Sequence, residues 1–190
     1  MNEKREMRRR FLEIRRSTNE KDCVERSIRI QEILLSCREY TESDTLFVYS
    51  HFGEEVRTDA VIEDALKKGK RVCLPFNDWN NRRFQPRLIR SLKEVDRSRK
   101  VPQPYASSQA VSPGEIDIIV MPGVVFDIFG NRIGMGGGFY DRFLASSAIE
   151  APRIGLAYDF QLVDYRLPAE ESDERLDMII TEDRVIRVPD

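Results

Sequence analysis

The sequence predicts an α/β fold in one domain, 1–190: an open, mostly parallel sheet with helices on both faces, preceded by a pair of N-terminal helices. Three observations predict it. Short apolar runs of strand length recur along the chain. Segments with helical spacing stand between several of them. The one candidate linker, 96–114, is too short to separate two domains.

Taken in order, Lys4 to Arg16 and Glu20 to Ser36 read as helices, broken at Ser17-Thr18-Asn19. On the first, Met7, Phe11 and Ile14 share a face. Lys4, Arg8 and Arg15, at offsets of four and eleven, form a cationic stripe beside it, a pattern that a solvated helix face also produces. On the second, Val24, Ile28, Gln31 and Leu35 follow the same period. Leu46–Tyr49 is a strand, Thr58 an N-cap for a helix through Lys68, Gly69 its C-terminal stop, and Arg71–Pro75 the next strand. That βαβ unit makes the two strands parallel. Phe84–Ile89 reads as a strand, Leu92–Val95 as a helical turn, and Ile116–Met121 as a buried strand. Pro122-Gly123 ends that strand, a glycine-rich loop follows, and Phe139–Ala145 begins a helix. Ile154–Ala157, Met178–Thr181 and Val185–Val188 complete the sheet, the last as an edge, giving a Rossmann-like three-layer arrangement.

Composition narrows the function. A net charge of -2 gives no bulk attraction to nucleic acid or to an anionic membrane. The basic N-terminus lacks the apolar core of a signal peptide, which predicts a cytoplasmic protein. Cys23, Cys37 and Cys73 are odd in number and widely spaced, so they read as free, mostly buried thiols. His51 is the only histidine, which excludes a His-rich metal site and points to Mg²⁺ on carboxylates and phosphates in place of zinc.

The most informative stretch is 120–144. Gly134, Gly136, Gly137 and Gly138 fall between a strand and a helix start, and a helix N-terminus behind bare glycine backbone binds anions. Arg132 adds a cation before the loop, and Asp141 a possible Mg²⁺ ligand after it. Neither a P-loop nor a dinucleotide fingerprint is present. Glu54-Glu55 follows the first strand at its carboxyl end, where open α/β sheets bind ligands. Phe139 and Tyr140 read as core anchors or a pocket wall, and Asp173 lies within an acidic run.

Val120-Met-Pro-Gly-Val-Val-Phe-Asp-x-x-Gly-Asn-Arg-Ile-Gly-x-Gly-Gly-Gly-Phe-Tyr-Asp-Arg-Phe-Leu144 closely resembles the signature of the 5-formyltetrahydrofolate cyclo-ligase family. Lys4-x-x-x-Arg8, Glu55-Val-x-Thr58, Pro102-Gln-Pro104 and Asp173 resemble further family positions, in order. The resemblance implies an ATP- and Mg²⁺-dependent closure of 5-formyltetrahydrofolate to 5,10-methenyltetrahydrofolate, by phosphorylation of the formyl oxygen and attack by N10. It implies ATP on Lys4, Arg8, Arg132, Ile133, Gly134, Met135, Gly136, Gly137, Gly138, Phe139 and Tyr140. It puts folate on Ser50, Glu55 and Met135 to Phe139, with Glu55 at the pterin, Mg²⁺ on Asp141 and Asp173, and Arg132 and Tyr140 as catalytic residues. It also implies a monomer or weak homodimer. Arg99 stands where an aromatic residue is common in the family, and Met135 and Gly137 where some relatives carry loop cations. Two other classes are open: an ATP-independent sugar-phosphate or acyl-CoA enzyme on a related scaffold, and a silent folate- or nucleotide-binding module.

Overall fold

The computed structural model describes residues 3–146 and 149–189. Helix α1 (Glu3–Ser17) and α2 (Glu20–Ser36) form the N-terminal pair, followed by the short α3 (Arg38–Thr41). Then come β1 (Thr45–Val48), α4 (Asp59–Lys67), β2 (Arg71–Asp78) and β3 (Arg83–Ile89). Two small strands, β4 (Val95–Asp96) and β5 (Gln103–Pro104), pair across the loop region. Strand β6 (Ile118–Met121) is followed by a hairpin, β7 (Val125–Asp127) and β8 (Arg132–Ile133), then by α5 (Phe139–Ser146). Strands β9 (Arg153–Leu156), β10 (Leu162–Val163), β11 (Met178–Ile180) and β12 (Val185–Arg187) complete the chain.

The main sheet has seven strands in the order β12-β11-β9-β6-β1-β2-β3. The inner five are parallel, and β12 and β3 close the edges antiparallel. Alternation along β1 sets the two faces. Leu46 and Val48 meet Ile30, Leu34, Val61 and Ile62 of α2 and α4, while Phe47 meets Phe143 and Leu144 of α5. From β1 the chain builds outward to β2 and β3, then returns to β6 and builds the other way. The switch point of the sheet therefore lies between the carboxyl ends of β1 and β6, the place where open α/β sheets bind ligands.

Three local readings are corrected. The buried residues of α2 are Cys23, Ser27, Ile30, Gln31 and Leu34, while Ile28 is 49% exposed. Polar groups hold the inner face because they bond there: Ser27 Oγ lies 3.1 Å from Tyr158 Oη. Thr58 makes no side-chain cap; it donates to the Tyr49 carbonyl. Gln31 of α2 does the capping, its Oε1 accepting from the N–H groups of Ala60 and Val61 at 3.0 and 3.3 Å. The third concerns the run from β6 to the glycine loop. It is not direct, because β7 and β8 pair with each other and β10 adds a third strand. Asp127 builds that hairpin: it is fully buried and accepts from the N–H groups of Phe129, Asn131 and Leu167 and from Asn131 Nδ2. Gly130 makes the turn at φ +88°. All three cysteines are free and buried, as expected.

Candidate active site

Four parts of the chain meet at the switch point. The carboxyl end of β1 leads to Ser50 and Glu55, and that of β6 to Pro122 and Gly123. The hairpin delivers the glycine loop to the start of α5. Helix α1 lies against the hairpin, with Phe11 packed on Val124, Val125, Ile133 and Leu167.

In the loop, Gly136 and Gly138 have φ of +89° and +63°, which L side chains adopt only under strain. Among the described residues, the N–H groups of Gly136, Gly137, Gly138 and Phe139 donate no hydrogen bond. The carbonyls are occupied instead. Gly134 O accepts from Arg8 Nε at 2.7 Å, and Gly137 O from Arg142. The loop is held from its acceptor side while its donors are left for a ligand, which makes an anion nest at a helix N-terminus.

The cationic stripe of α1 faces inward. Lys4 pairs with Asp173 and, at 3.0 Å, with Glu170; these bonds outweigh burial and raise its pKa. Arg8 spans the loop, and its guanidinium carbon lies 3.3 Å from where a Cβ on Gly136 would stand. Arg132 is buried at the root of the loop, donating to Pro122 O at 3.3 Å and pairing with Asp141 at 3.1 Å. It lies 5.5 Å from the Tyr140 ring centre. Burial raises the Tyr140 pKa, so its hydroxyl stays a proton donor. Asp141 Oδ2 and Asp173 Oδ1 accept no hydrogen bond among the described residues. Among the described residues, no group of three or more His, Cys, Asp or Glu side chains is arranged to hold a metal. That donor set fits Mg²⁺, which takes one or two carboxylates plus phosphate oxygens and water.

At the β1 side, Glu55 is buried, with Oε2 accepting from Phe52 N–H at 3.2 Å. Burial pushes its pKa up to about 7, although the Arg15 charge and the Phe52 bond pull the other way. Arg15 is 3% exposed, and among the described residues its side chain makes one hydrogen bond, a 3.4 Å contact to Gly123 O. Arg15 Nε, Ser50 Oγ and Arg132 Nε are buried without a hydrogen-bond partner among the described residues. Ser50, like Glu55, is buried, while Ile133 packs inward with Phe11 and Met135 is 53% exposed on the loop.

Sequence reading missed Trp79 and the internal role of Arg142. Trp79, at the tip of β2–β3, meets Phe139 edge-on at 5.2 Å, and Phe84 stacks on Phe139 from the other strand. Arg142 ties the same hairpin to the loop through Arg82 O at 2.9 Å. A lone tryptophan in the polar run Asn77 to Arg83 was the available signal. Arg99 pairs with Asp96 at 3.0 Å on the β4–β5 turn.

Fold and site define a class: α/β proteins that hold an anionic small molecule at the switch point of the sheet. The 5-formyltetrahydrofolate cyclo-ligase family model matches residues 1–182. The Escherichia coli (strain K12) 5-formyltetrahydrofolate cyclo-ligase is 35% identical over 151 residues, 74% of this chain and 79% of that protein. The Mus musculus enzyme of that name is 25% identical over 191 residues, 95% of this chain and 94% of that protein. The Aquifex aeolicus 5,10-methenyltetrahydrofolate synthetase superposes with a TM-score of 0.86 at 29% identity, covering 98% of this chain and 93% of that one. A synthetase of the same name from Mycoplasma pneumoniae shares the fold at a TM-score of 0.76 and 24% identity, covering 96% of this chain and 99% of that one. The chain belongs to the 5-formyltetrahydrofolate cyclo-ligase family, and the enzyme is a ligase with that family's activity. No described helix is long and apolar enough to cross a membrane.

Proposed function

We propose that the enzyme closes 5-formyltetrahydrofolate to 5,10-methenyltetrahydrofolate with ATP and Mg²⁺, releasing ADP and phosphate. The formyl oxygen takes the γ-phosphoryl group and ADP departs. N10 attacks the activated carbon, loses its proton, and the C–O bond breaks as phosphate leaves. Such a reaction needs positioning and charge neutralisation more than a dedicated base, which suits a chain with one histidine.

The observation that carries the reading is the ring of unbonded N–H groups from Gly136 to Phe139, with Arg8 and Arg132 beside it. The nest holds the triphosphate, with Lys4 and Arg8 on its outer side. Arg132 stands where charge develops on the phosphoryl group, and Tyr140 donates its hydroxyl proton in a hydrogen bond there. Ser50, Glu55 and the loop from Met135 to Phe139 bind the folate, and Glu55 accepts two N–H bonds from the pterin edge. Asp141 and Asp173 would hold Mg²⁺, which when bound neutralises phosphate charge. We place the reaction in the cytoplasm, in a monomer or weak homodimer.

The test is to mix protein, 5-formyltetrahydrofolate, ATP and Mg²⁺ and follow methenyl absorbance. Product should form only when all components are present, with one ADP for each methenyl group. Turnover without nucleotide overturns the ATP-dependent reading. Binding of both ligands without product would leave a silent module.

A further inference from the structure

Arg15 is the one arginine of α1 that is fully buried; Arg5, Arg9, Arg10 and Arg16 are exposed on the same helix. Burying a guanidinium with bonds unmade is costly, the more so because it is charged. Yet the Arg15 side chain has a partnerless Nε, a single long bond to Gly123 O, and no ion pair among the described residues. A group introduced only to anchor the helix would be expected to complete its bonds with the protein.

Its position gives the reason. Gly123 O lies at the carboxyl end of β6, on one bank of the switch point, and Glu55 follows the end of β1 on the other. The Arg15 charge reaches the Glu55 carboxyl, but the two groups are not within ion-pair distance of 4.0 Å. Ser50 Oγ is also buried between the same strand end and Glu55 without a partner. The switch point thus presents an acceptor in Glu55 and unspent polar groups in Arg15 and Ser50. A carboxylate beside a guanidinium matches a ligand edge that carries two adjacent N–H groups followed by a carbonyl. An aminopyrimidinone ring has that edge.

We infer that Arg15 reads the substrate: its guanidinium donates to the carbonyl of the aminopyrimidinone ring while Glu55 accepts from the neighbouring ring N–H and exocyclic amino group. This rests on the proposed folate reading of the site and adds to it a residue that sets specificity for a 4-oxo ring.

The test compares two ligands and three proteins. Binding of 5-formyltetrahydrofolate and of its 2,4-diamino counterpart, in which an amino group replaces the ring carbonyl, is measured by calorimetry on wild type, Arg15→Met and Arg15→Lys. ATP affinity and circular dichroism are measured alongside. Arg15→Met should shift the ratio of the two affinities toward the diamino compound by about 10-fold or more, because only the oxo ligand loses a bond. ATP affinity should stay within about two-fold of wild type, being set at the glycine loop. Arg15→Lys keeps a charge but not the planar fork, so its ratio should shift by a smaller factor and supply the result if the methionine variant does not fold. An unchanged ratio in a folded variant, or equal losses for folate and ATP, would show that Arg15 is only a structural peg and overturn the inference. If wild type binds no 5-formyltetrahydrofolate at all, the folate reading itself falls, a result distinct from the others.

Discussion

Glu55 shows how one residue ties binding to pH. Its folded-state pKa of about 7 lies above the ordinary 4.5, because burial disfavours the charged form. Beside burial, the groups acting on it are Arg15 from α1, the Phe52 N–H and Glu54 beside it. A carboxyl that holds its proton more tightly when folded favours folding at low pH. The penalty is absent below about 4.5, grows as pH rises to about 7, and is constant above. At about 1.4 kcal/mol per unit, the full penalty is about 3 kcal/mol. Glu55→Gln should therefore be more stable than wild type at pH 8 by up to about that amount and gain little near pH 4.5, as urea melts at the two values will show. The same variant should bind 5-formyltetrahydrofolate at least about 10-fold more weakly, since an amide cannot accept two N–H bonds as a carboxylate does. In wild type, folate binding near pH 7 should release about half a proton, measurable by calorimetry in two buffers of different ionisation enthalpy. The sequence located Glu55 and the inward stripe of Lys4, Arg8 and Arg15. It did not reveal that Arg15 is only 3% exposed, because helical spacing gives direction around an axis but not the depth of burial.

At the scale of elements, the glycine loop is set by two straps rather than by its own chain. Arg8 reaches it from α1 and Arg142 from α5, each through a carbonyl. Gly136→Val meets both a φ of +89° and the Arg8 guanidinium, and strain of this kind costs about 1–3 kcal/mol. It should abolish ATP binding while circular dichroism stays native. Arg8→Ala should weaken ATP by about 10-fold or more, with folate changed less than about two-fold, if phosphate charge is what Arg8 meets; titration of the two ligands separates the cases. Asp127 governs the hairpin that carries the loop. Removing four acceptor bonds from a fully buried side chain, Asp127→Ala should destabilise by roughly 3 kcal/mol or more in urea melts. Strand, glycine loop and helix were legible between 116 and 145. The hairpin was hidden because its strands are three and two residues long, too short to show an alternation. Its signal was chemical, an aspartate three residues before a glycine that must take positive φ.

On the whole-molecule scale, a mostly parallel sheet was readable because several strand runs are separated by helices, as β1 and β2 are by α4, whereas the order β11-β9-β6-β1-β2 was not. The antiparallel edges make the sheet mixed, and their direction depends on short connections, which sequence periods do not report. The switch point between β1 and β6 is a property of the order of all strands, so no single segment could announce it. Helix α1 runs past that point, touching the late acidic run through Lys4, the loop through Arg8 and the chain just after β6 through Arg15. The molecule also carries its own optical gauge. Trp79 is the single tryptophan of the chain, 55% exposed, and its ring edge rests on Phe139, the residue that ends the glycine loop. Any movement of the loop changes the solvent and the neighbour that this one indole senses. Its emission therefore reports on a single place, without a dye, a label or an engineered reporter, and stopped-flow mixing with ATP alone can time how fast the loop answers its ligand.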